Sequence, residues 1–255
     1  MIVAVGDIHG QADPLDRLLQ RILSDLDPSD TLVFLGDYID RGPGSRQVVE
    51  RLLELDTPAQ TIFLMGNHEE LALSARDGFA PKRGPEGLYL SESDPAREWF
   101  SQGGEQTLAS YGLDLAVAED DEYLAWREAI PEGHWQFLGE GSLEYVTDAW
   151  HFVHAGLLPS ECPVWEYQGM GIAPQRWVRE PFLSWEGGFE GRRVVFGHTP
   201  QPNGMPLVEG NKIGIDTGAA WGGPLTAALL SEEGELVGFL QAIQGRVEEL
   251  APWKR

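Results

Sequence analysis

The chain has 255 residues, with 41 Asp plus Glu against 18 Lys plus Arg, a formal charge of −23 with histidine neutral. A chain of this length can close a full hydrophobic core without disulfides or structural staples, and 42% hydrophobic with 23% charged residues is a globular composition. So acidic a surface excludes a grip on long nucleic acid, which needs a basic stripe, and disfavours docking on an anionic membrane.

Ile2 to Val5 reads as a buried strand, and Leu15, Leu18, Leu19, Ile22 and Leu23 form the apolar stripe of a following helix. Thr31 to Leu35 is a second strand. Val48, Val49, Leu52, Leu53 and Leu55 give a second helix, opened by Pro43 and Ser45. Thr61 to Leu64 is a third strand, followed by helix over Glu69 to Arg76. Strands alternating with helices predict an α/β core whose sheet is at least partly parallel. Residues 77–95, rich in Gly, Pro, Ser and charge, read as loop. From about 96 to 130 the pattern is helical, with Trp99, Leu108, Tyr111, Leu124 and Trp126 as packing residues. Strand signals return at Leu143–Val146, Trp150–His154, Arg193–Phe196, Lys212–Ile215, Leu225–Leu230 and Leu236–Leu240, between Gly- and Pro-containing turns. Segment 157–190 reads as an ordered surface loop with a short helix. The expectation is one domain over 1–255 with a helical insertion at about 78–130.

Cys162 is the only cysteine, so no intrachain disulfide forms. A cysteine-nucleophile phosphatase would carry Arg six residues further on, where Gln168 stands, and that chemistry is excluded. The apolar start, Met1 to Val5, is too short for a signal peptide, and nothing later reaches the ~18 apolar residues of a membrane span. A cytoplasmic protein is the expectation.

The chemistry lies where the strands end. The first runs into Gly6-Asp7-Ile8-His9-Gly10, the second into Gly36-Asp37-Tyr38-Ile39-Asp40-Arg41-Gly42, and the third into Gly66-Asn67-His68-Glu69. Two later strands run into His154-Ala155-Gly156 and Gly197-His198-Thr199. These five turns hold four of the six histidines. Ligands of α/β sheets sit at the carboxyl ends of the strands, and mixed carboxylate, amide and imidazole donors suit divalent metals. Asp7 and His9 can converge on one ion, Asp37 can bridge two, and Asn67, His154 and His198 can complete the second. Two such ions ~3.5–4 Å apart form the clamp used for in-line displacement at phosphorus and lower the pKa of a bridging water. His68 beside Asp40 suits protonation of a leaving oxygen, and the Arg41 guanidinium suits phosphate oxygens.

In order, GDIHG, GDYIDRG, GNHE, HAG and GHT resemble the metallophosphoesterase superfamily, within it the phosphoprotein phosphatase branch. The resemblance runs from Val3 to about Leu230 and implies the calcineurin-like α/β fold, two mixed β-sheets in a sandwich flanked by helices. It also implies Asp7, His9 and Asp37 at a first metal, with Asp37, Asn67, His154 and His198 at a second. His68 with Asp40 would then be the general acid, and Arg41 a phosphate ligand. Trp177-Val178-Arg179-Glu180 is similar to the stretch carrying the family's second phosphate arginine, which implies that role for Arg179. The ions would be manganese, with iron, zinc or nickel fitting the same donors; oligomeric state has no signal in the sequence.

Within the branch, Gly103-Gly104-Glu105-Gln106-Thr107-Leu108 and Ile215-Asp216-Thr217-Gly218 are similar to the bacterial and phage-type serine/threonine phosphatases. One departure is Met65, where many members place Arg before GNHE. Asp216 to Gly223 and Gly42-Pro43-Gly44-Ser45 resemble instead the symmetrical diadenosine tetraphosphate hydrolases. Those typically lack the aspartate of DRG and read GNHD, so Asp40 and Glu69 favour a phosphomonoesterase. The implied activity is hydrolysis of phosphoserine, phosphothreonine or phosphotyrosine by direct attack of a metal-bridging hydroxide, on a phosphorylated protein or small phosphoester. Other residues read as structural: His151 on the far face of its strand, His134 exposed in a loop, and Arg192 and Arg193 in surface pairs; Trp221 could stack on an adenine or fill the core, core packing being the commoner fate of tryptophan. The run Glu119 to Glu122 reads as a solvated helix start.

Overall fold

The computed structural model describes residues 1–84, 87–160, 173–243 and 245–251. Strand β1 (Ile2–Val5), helix α1 (Ala12–Leu23), β2 (Thr31–Phe34), α2 (Ser45–Leu53), β3 (Gln60–Phe63) and α3 (Asn67–Gly78) follow one another. β1, β2 and β3 pair in parallel, as helical crossovers allow. The alternation of side chains along β1 and β2 divides the core. Val3, Val5, Leu32 and Phe34 face Leu15, Leu18, Leu19 and Val48 of the helices, while Ile2, Ala4, Val33 and Leu35 face a second sheet.

The segment after α3 departs from the expected loop. Lys82–Gly84 (β4) and Gly87–Tyr89 (β5) pair as an antiparallel hairpin, too short for a period-two pattern to register. Helices α4 (Pro95–Trp99), α5 (Glu105–Ser110), α6 (Asp120–Leu124), α7 (Trp126–Ala129) and α8 (Glu132–Gly139) follow, with a π turn over Phe100–Gly104 between α4 and α5. Trp99, Leu108, Trp126 and Trp135 are buried, and the rings of Trp99 and Trp126 lie 5.2 Å apart. Leu124, expected to pack, is exposed, since α6 spans little more than one turn. The acidic start of α6 is as expected, with the Glu119 amide donating to Glu122 Oε2 at 3.1 Å.

The chain then builds the second sheet from β6 (Glu144–Val146), β7 (Trp150–Val153), a short helix α9 (Pro174–Trp177), β8 (Arg193–Phe196), β9 (Leu207–Glu209) and β10 (Lys212–Gly214). It returns to the first sheet with β11 (Leu225–Leu230), β12 (Leu236–Ile243) and β13 (Arg246–Leu250). The strand orders are β13-β12-β11-β1-β2-β3 and β6-β7-β8-β10-β9, both mixed, and the expected sandwich is what forms. Trp150, Phe152, Val195, Ile213, Ala228 and Phe239 fill the space between the sheets with the inward residues of β1 and β2. β9 and β13 escaped the sequence reading; both are short edge strands with half-exposed faces. Of segment 157–190, α9 is the expected short helix, and Val178, Phe182 and Phe189 cover the outer face of the second sheet. Cys162 and Gln168 lie outside the described residues. Among the described residues no helix is long and apolar enough to cross a membrane.

Candidate active site

Both sheets present the carboxyl ends of their parallel strands to one place. β1, β2 and β3 deliver Asp7, Asp37 and Asn67, while β7 and β8 deliver His154 and His198. Backbone bonds carry the ladders past the strand ends, from Leu35 N to Val5 O at 2.9 Å and from Gly197 N to His154 O at 2.7 Å. The chain then turns abruptly. Seven non-glycine residues among those described have positive φ, and five of them are His9, Asp37, Asp40, Arg41 and His198. Each such conformation costs of order 1–3 kcal/mol and persists only where surrounding contacts over-determine it. Close approach also dictates two glycines. A Cβ on Gly66 would lie 2.1 Å from Asp37 Oδ1, and one on Gly197 would lie 2.0 Å from Asp7 Oδ1.

All six expected metal ligands are buried, but the two tight donor groups hold four of the five histidines and aspartates among them, with His68 standing in the first group where Asp7 was expected. His9, Asp37 and His68 offer donor atoms all within 4.8 Å of one another, as do Asp37, His154 and His198, so Asp37 belongs to both groups. Backbone carbonyls fix two of the imidazoles. His9 Nδ1 lies 2.8 Å from Ile39 O and His154 Nδ1 2.8 Å from Leu35 O. With Nδ1–H donated outward, each Nε2 lone pair points into the site: His9 Nε2 is 3.3 Å and His154 Nε2 3.4 Å from Asp37 carboxylate oxygens. Asn67 Oδ1 lies 2.8 Å from His198 Nδ1 and 3.1 Å from His154 Nε2. Asp7 accepts from the His198 amide at 2.8 Å through Oδ2. Its Oδ1 is buried without a partner, as are His68 Nε2 and His198 Nε2.

These residues fit a divalent cation pair on their own chemistry. Burial lowers the pKa of His154 and pulls His198 down to about 2, which favours the neutral imidazole that a metal ion needs. Burial, together with the charges of Asp216 and Asp37, pushes Asp7 well above the carboxylate range. Three buried carboxylates, Asp7, Asp37 and Asp216, thus share the site with the single guanidinium of Arg41 acting on Asp7 and Asp216, and cations relieve the remaining repulsion.

Beside them, His68 Nδ1 lies 2.7 Å from Asp40 Oδ2, with both side chains inaccessible. Asp40 is itself held by residues that the motifs did not flag as functional. The Trp99 indole N–H donates to its carboxylate at 3.0 and 3.1 Å, and the Thr107 hydroxyl donates to Oδ1 at 2.6 Å. Trp99 read from sequence as packing only, because burial hides a donor's second use. Glu69, the last residue of GNHE, accepts amide bonds from Asp37 at 2.9 Å, Tyr38 at 2.8 Å and Gly66 at 2.9 Å. It therefore ties the second turn to the third.

Arg41 reaches His9 Nε2 with Nη1 at 2.7 Å, and its guanidinium lies 4.8 Å from the centroid of the Trp221 ring. Arg179 donates from Nη2 to the carbonyl of His198 at 3.2 Å, so both expected arginines border the histidine cluster. Trp221 is not core: it is 63% exposed. It occupies a tight turn over Ala219–Trp221 flanked by left-handed Gly218 and Gly222, which holds the ring outward. His134 is half-buried rather than exposed, its Nδ1 2.8 Å from the Tyr111 hydroxyl. His151 pairs with Glu144 at 3.0 Å, away from the cluster, as its strand position predicts. Arg192 pairs with Glu190 at 2.9 Å, whereas Arg193 donates to Gly234 O at 3.3 Å and lies over Trp150.

A two-sheet sandwich with oxygen and imidazole donors gathered at its strand ends, and arginines at the rim, defines a metal-dependent phosphoesterase. The sequence comparisons agree: the calcineurin-like phosphoesterase family model matches residues 1–213, and the chain belongs to that family, whose members carry a dinuclear metal centre. Serine/threonine-protein phosphatase 1 of Salmonella typhimurium is 31% identical over 225 residues, 88% of this chain and 89% of that protein. The symmetrical bis(5'-nucleosyl)-tetraphosphatase of Nitrosococcus oceani is 29% identical over 277 residues, 91% of this chain and 94% of that protein. Among solved structures, the cold-active protein-tyrosine phosphatase of a psychrophilic Shewanella shares the fold at a TM-score of 0.52 and 20% identity, over 98% of this chain and 80% of that one.

Proposed function

We propose that the chain is a phosphoprotein phosphatase that hydrolyses phosphate monoesters of serine, threonine and tyrosine in the cytoplasm. The observation that carries this reading is the buried His68–Asp40 pair, 2.7 Å apart, with His68 Nε2 left free. A poor alkoxide or phenoxide leaving group needs a proton, and a positioned imidazole supplies one. Asp40 receives Nδ1–H and holds the ring so that Nε2 faces the leaving oxygen.

In this reading Asp7, His9 and Asp37 hold one divalent ion and Asp37, Asn67, His154 and His198 the other, with manganese the first choice. When bound, the ions polarise the phosphoryl group and acidify the attacking water. The remaining work falls to the chain. Arg41 and Arg179 hold phosphoryl oxygens with charge-assisted hydrogen bonds and keep the phosphorus in line. Glu69 fixes the turn that carries Asp37. His68 delivers its proton to the departing oxygen, and no covalent link to the protein forms. Strand-end burial keeps bulk water from competing for the donors.

The second reading is a symmetrical dinucleoside tetraphosphatase. It is favoured by the Asp216 to Gly223 stretch and by the 29% identity to the Nitrosococcus oceani protein. A panel with Mn²⁺ and metal-free controls decides between them: phosphoserine, phosphothreonine and phosphotyrosine peptides beside diadenosine tetraphosphate. Release of phosphate from the peptides is the expected outcome; turnover of the dinucleotide alone would replace the first reading by the second.

A further inference from the structure

Trp221 is the only indole among the exposed large apolar side chains of the described residues. Exposure of an aromatic ring forgoes the burial that usually stabilises it, yet this turn is built to hold it out. Ala219 is buried as an anchor. The Trp221 amide donates to Gly218 O at 2.9 Å, the Gly223 amide to the same oxygen at 3.0 Å, and the Gly218 amide to Asp216 Oδ1 at 3.0 Å. A side chain at position 223 would strike Thr217 O at 2.4 Å, so the turn tolerates only glycine there. The backbone that carries the ring is thus pinned on both sides.

Opposite it stands the π turn of the helical segment. An open cleft of about 590 Å³ lies between Trp221 on one side and Gln102, Glu105 and Gln106 on the other, with Arg41 lining it between them. The π turn is fixed against the site as well: the Arg41 amide donates to Gly103 O at 3.4 Å, and a Cβ on Gly103 would lie 2.6 Å from Arg41 N. The cleft is shallow and open to solvent, and Arg41, the proposed phosphate ligand, lines it.

We infer that Trp221 is a specificity-determining residue, the platform on which the aromatic ring of an aryl phosphate monoester, the phosphotyrosine class, lies while Arg41 holds its phosphoryl group. The inference rests on the monoesterase reading and narrows it. Its basis is proximity. The indole touches the same guanidinium that would grip the transferring phosphate, 4.8 Å from ring centroid to guanidinium carbon. The guanidinium lies over one face of the indole and most of the ring remains exposed, so a ring bonded to an Arg41-held phosphorus through a single ester oxygen is within reach of the exposed part. The adenine of a tetraphosphate cleaved at its centre is separated from the reacting phosphorus by a further phosphate and a ribose, and would pass beyond the indole. A phosphoserine methylene offers no face to stack.

The test compares the manganese-loaded protein with its Trp221→Ala and Trp221→Phe variants on phosphotyrosine and phosphoserine peptides of one sequence. For Trp221→Ala, kcat/KM should fall about fivefold to tenfold more for phosphotyrosine than for phosphoserine, the scale of one aromatic pair, and Trp221→Phe should restore most of the difference. Calorimetric binding of phenylphosphonate against methylphosphonate should show the same ratio. Equal losses on both peptides and both phosphonates would mean that the indole merely supports Arg41, and would overturn the inference; so would no loss. Should the unsubstituted protein cleave only diadenosine tetraphosphate, the monoesterase reading falls, and the phosphonate ratio still decides whether Trp221 receives an aryl ring.

Discussion

The hydroxyl of Thr107 donates to Asp40 Oδ1 at 2.6 Å across 67 residues of sequence. Through this bond the helical segment braces the aspartate that orients His68, and Ser45 joins by accepting from the Asp40 amide at 3.1 Å. Thr107→Val keeps the shape and removes the donor. A buried carboxylate short of one hydrogen bond costs about 1–3 kcal/mol, which a denaturant melt would register. The rate on a phosphoserine peptide should fall further than that on p-nitrophenyl phosphate, whose leaving group needs less help.

His68→Asn tests the acid role directly. Turnover of alkyl phosphates should drop about a hundredfold or more, within the range for a lost general acid, while p-nitrophenyl phosphate suffers much less. An equal loss on both would remove His68 from proton transfer.

Asp37 belongs to both donor groups, so Asp37→Asn should abolish turnover and weaken both cation sites together. The structural readout is independent of rate. Manganese at a hundred times its dissociation constant adds about 2.7 kcal/mol of stability to a protein that binds it only when folded. Thermal melts of the unsubstituted protein should rise with manganese and fall on chelation, whereas Asp37→Asn should show little response to either.

Glu69→Ala would leave three buried amides, those of Asp37, Tyr38 and Gly66, without their acceptor. At about 1–3 kcal/mol for each unsatisfied group, the variant should lose at least about 3 kcal/mol in a urea titration. Failure to destabilise would mean that water replaces the carboxylate in that turn.

The parallel half of the first sheet was legible because strand periodicity is a local signal, and the proposed metal ligands stand out because each lies in a short Gly-containing turn at a strand end. The sequence pattern predicts helix α3 from Glu69, two residues past its observed start at Asn67, because Asn67 and His68 are poor helix formers in isolation. In the fold they form its first turn, capped by Glu69. The edge strands β9 and β13 carry no alternation that distinguishes them from loop. Trp99 and Thr107 could not be tied to Asp40 from sequence, since nothing local links residues so far apart. For Trp221 the sequence leaves core packing and ring stacking open, burial being the usual fate of tryptophan, and the structure shows the ring largely exposed.

One arrangement reaches past the chemistry. Asp37 and Asn67 come from the first sheet, His154 and His198 from the second, and the His198 amide crosses to Asp7 at 2.8 Å. A cation held by the proposed set would act as a rivet through the sandwich. Separating the sheets would require expelling it, so deuterium uptake along β7 and β8 should slow as manganese rises. The lifetime of the folded chain against proteases would then follow the metal supply of its surroundings, and a starved cell would lose the protein along with the activity.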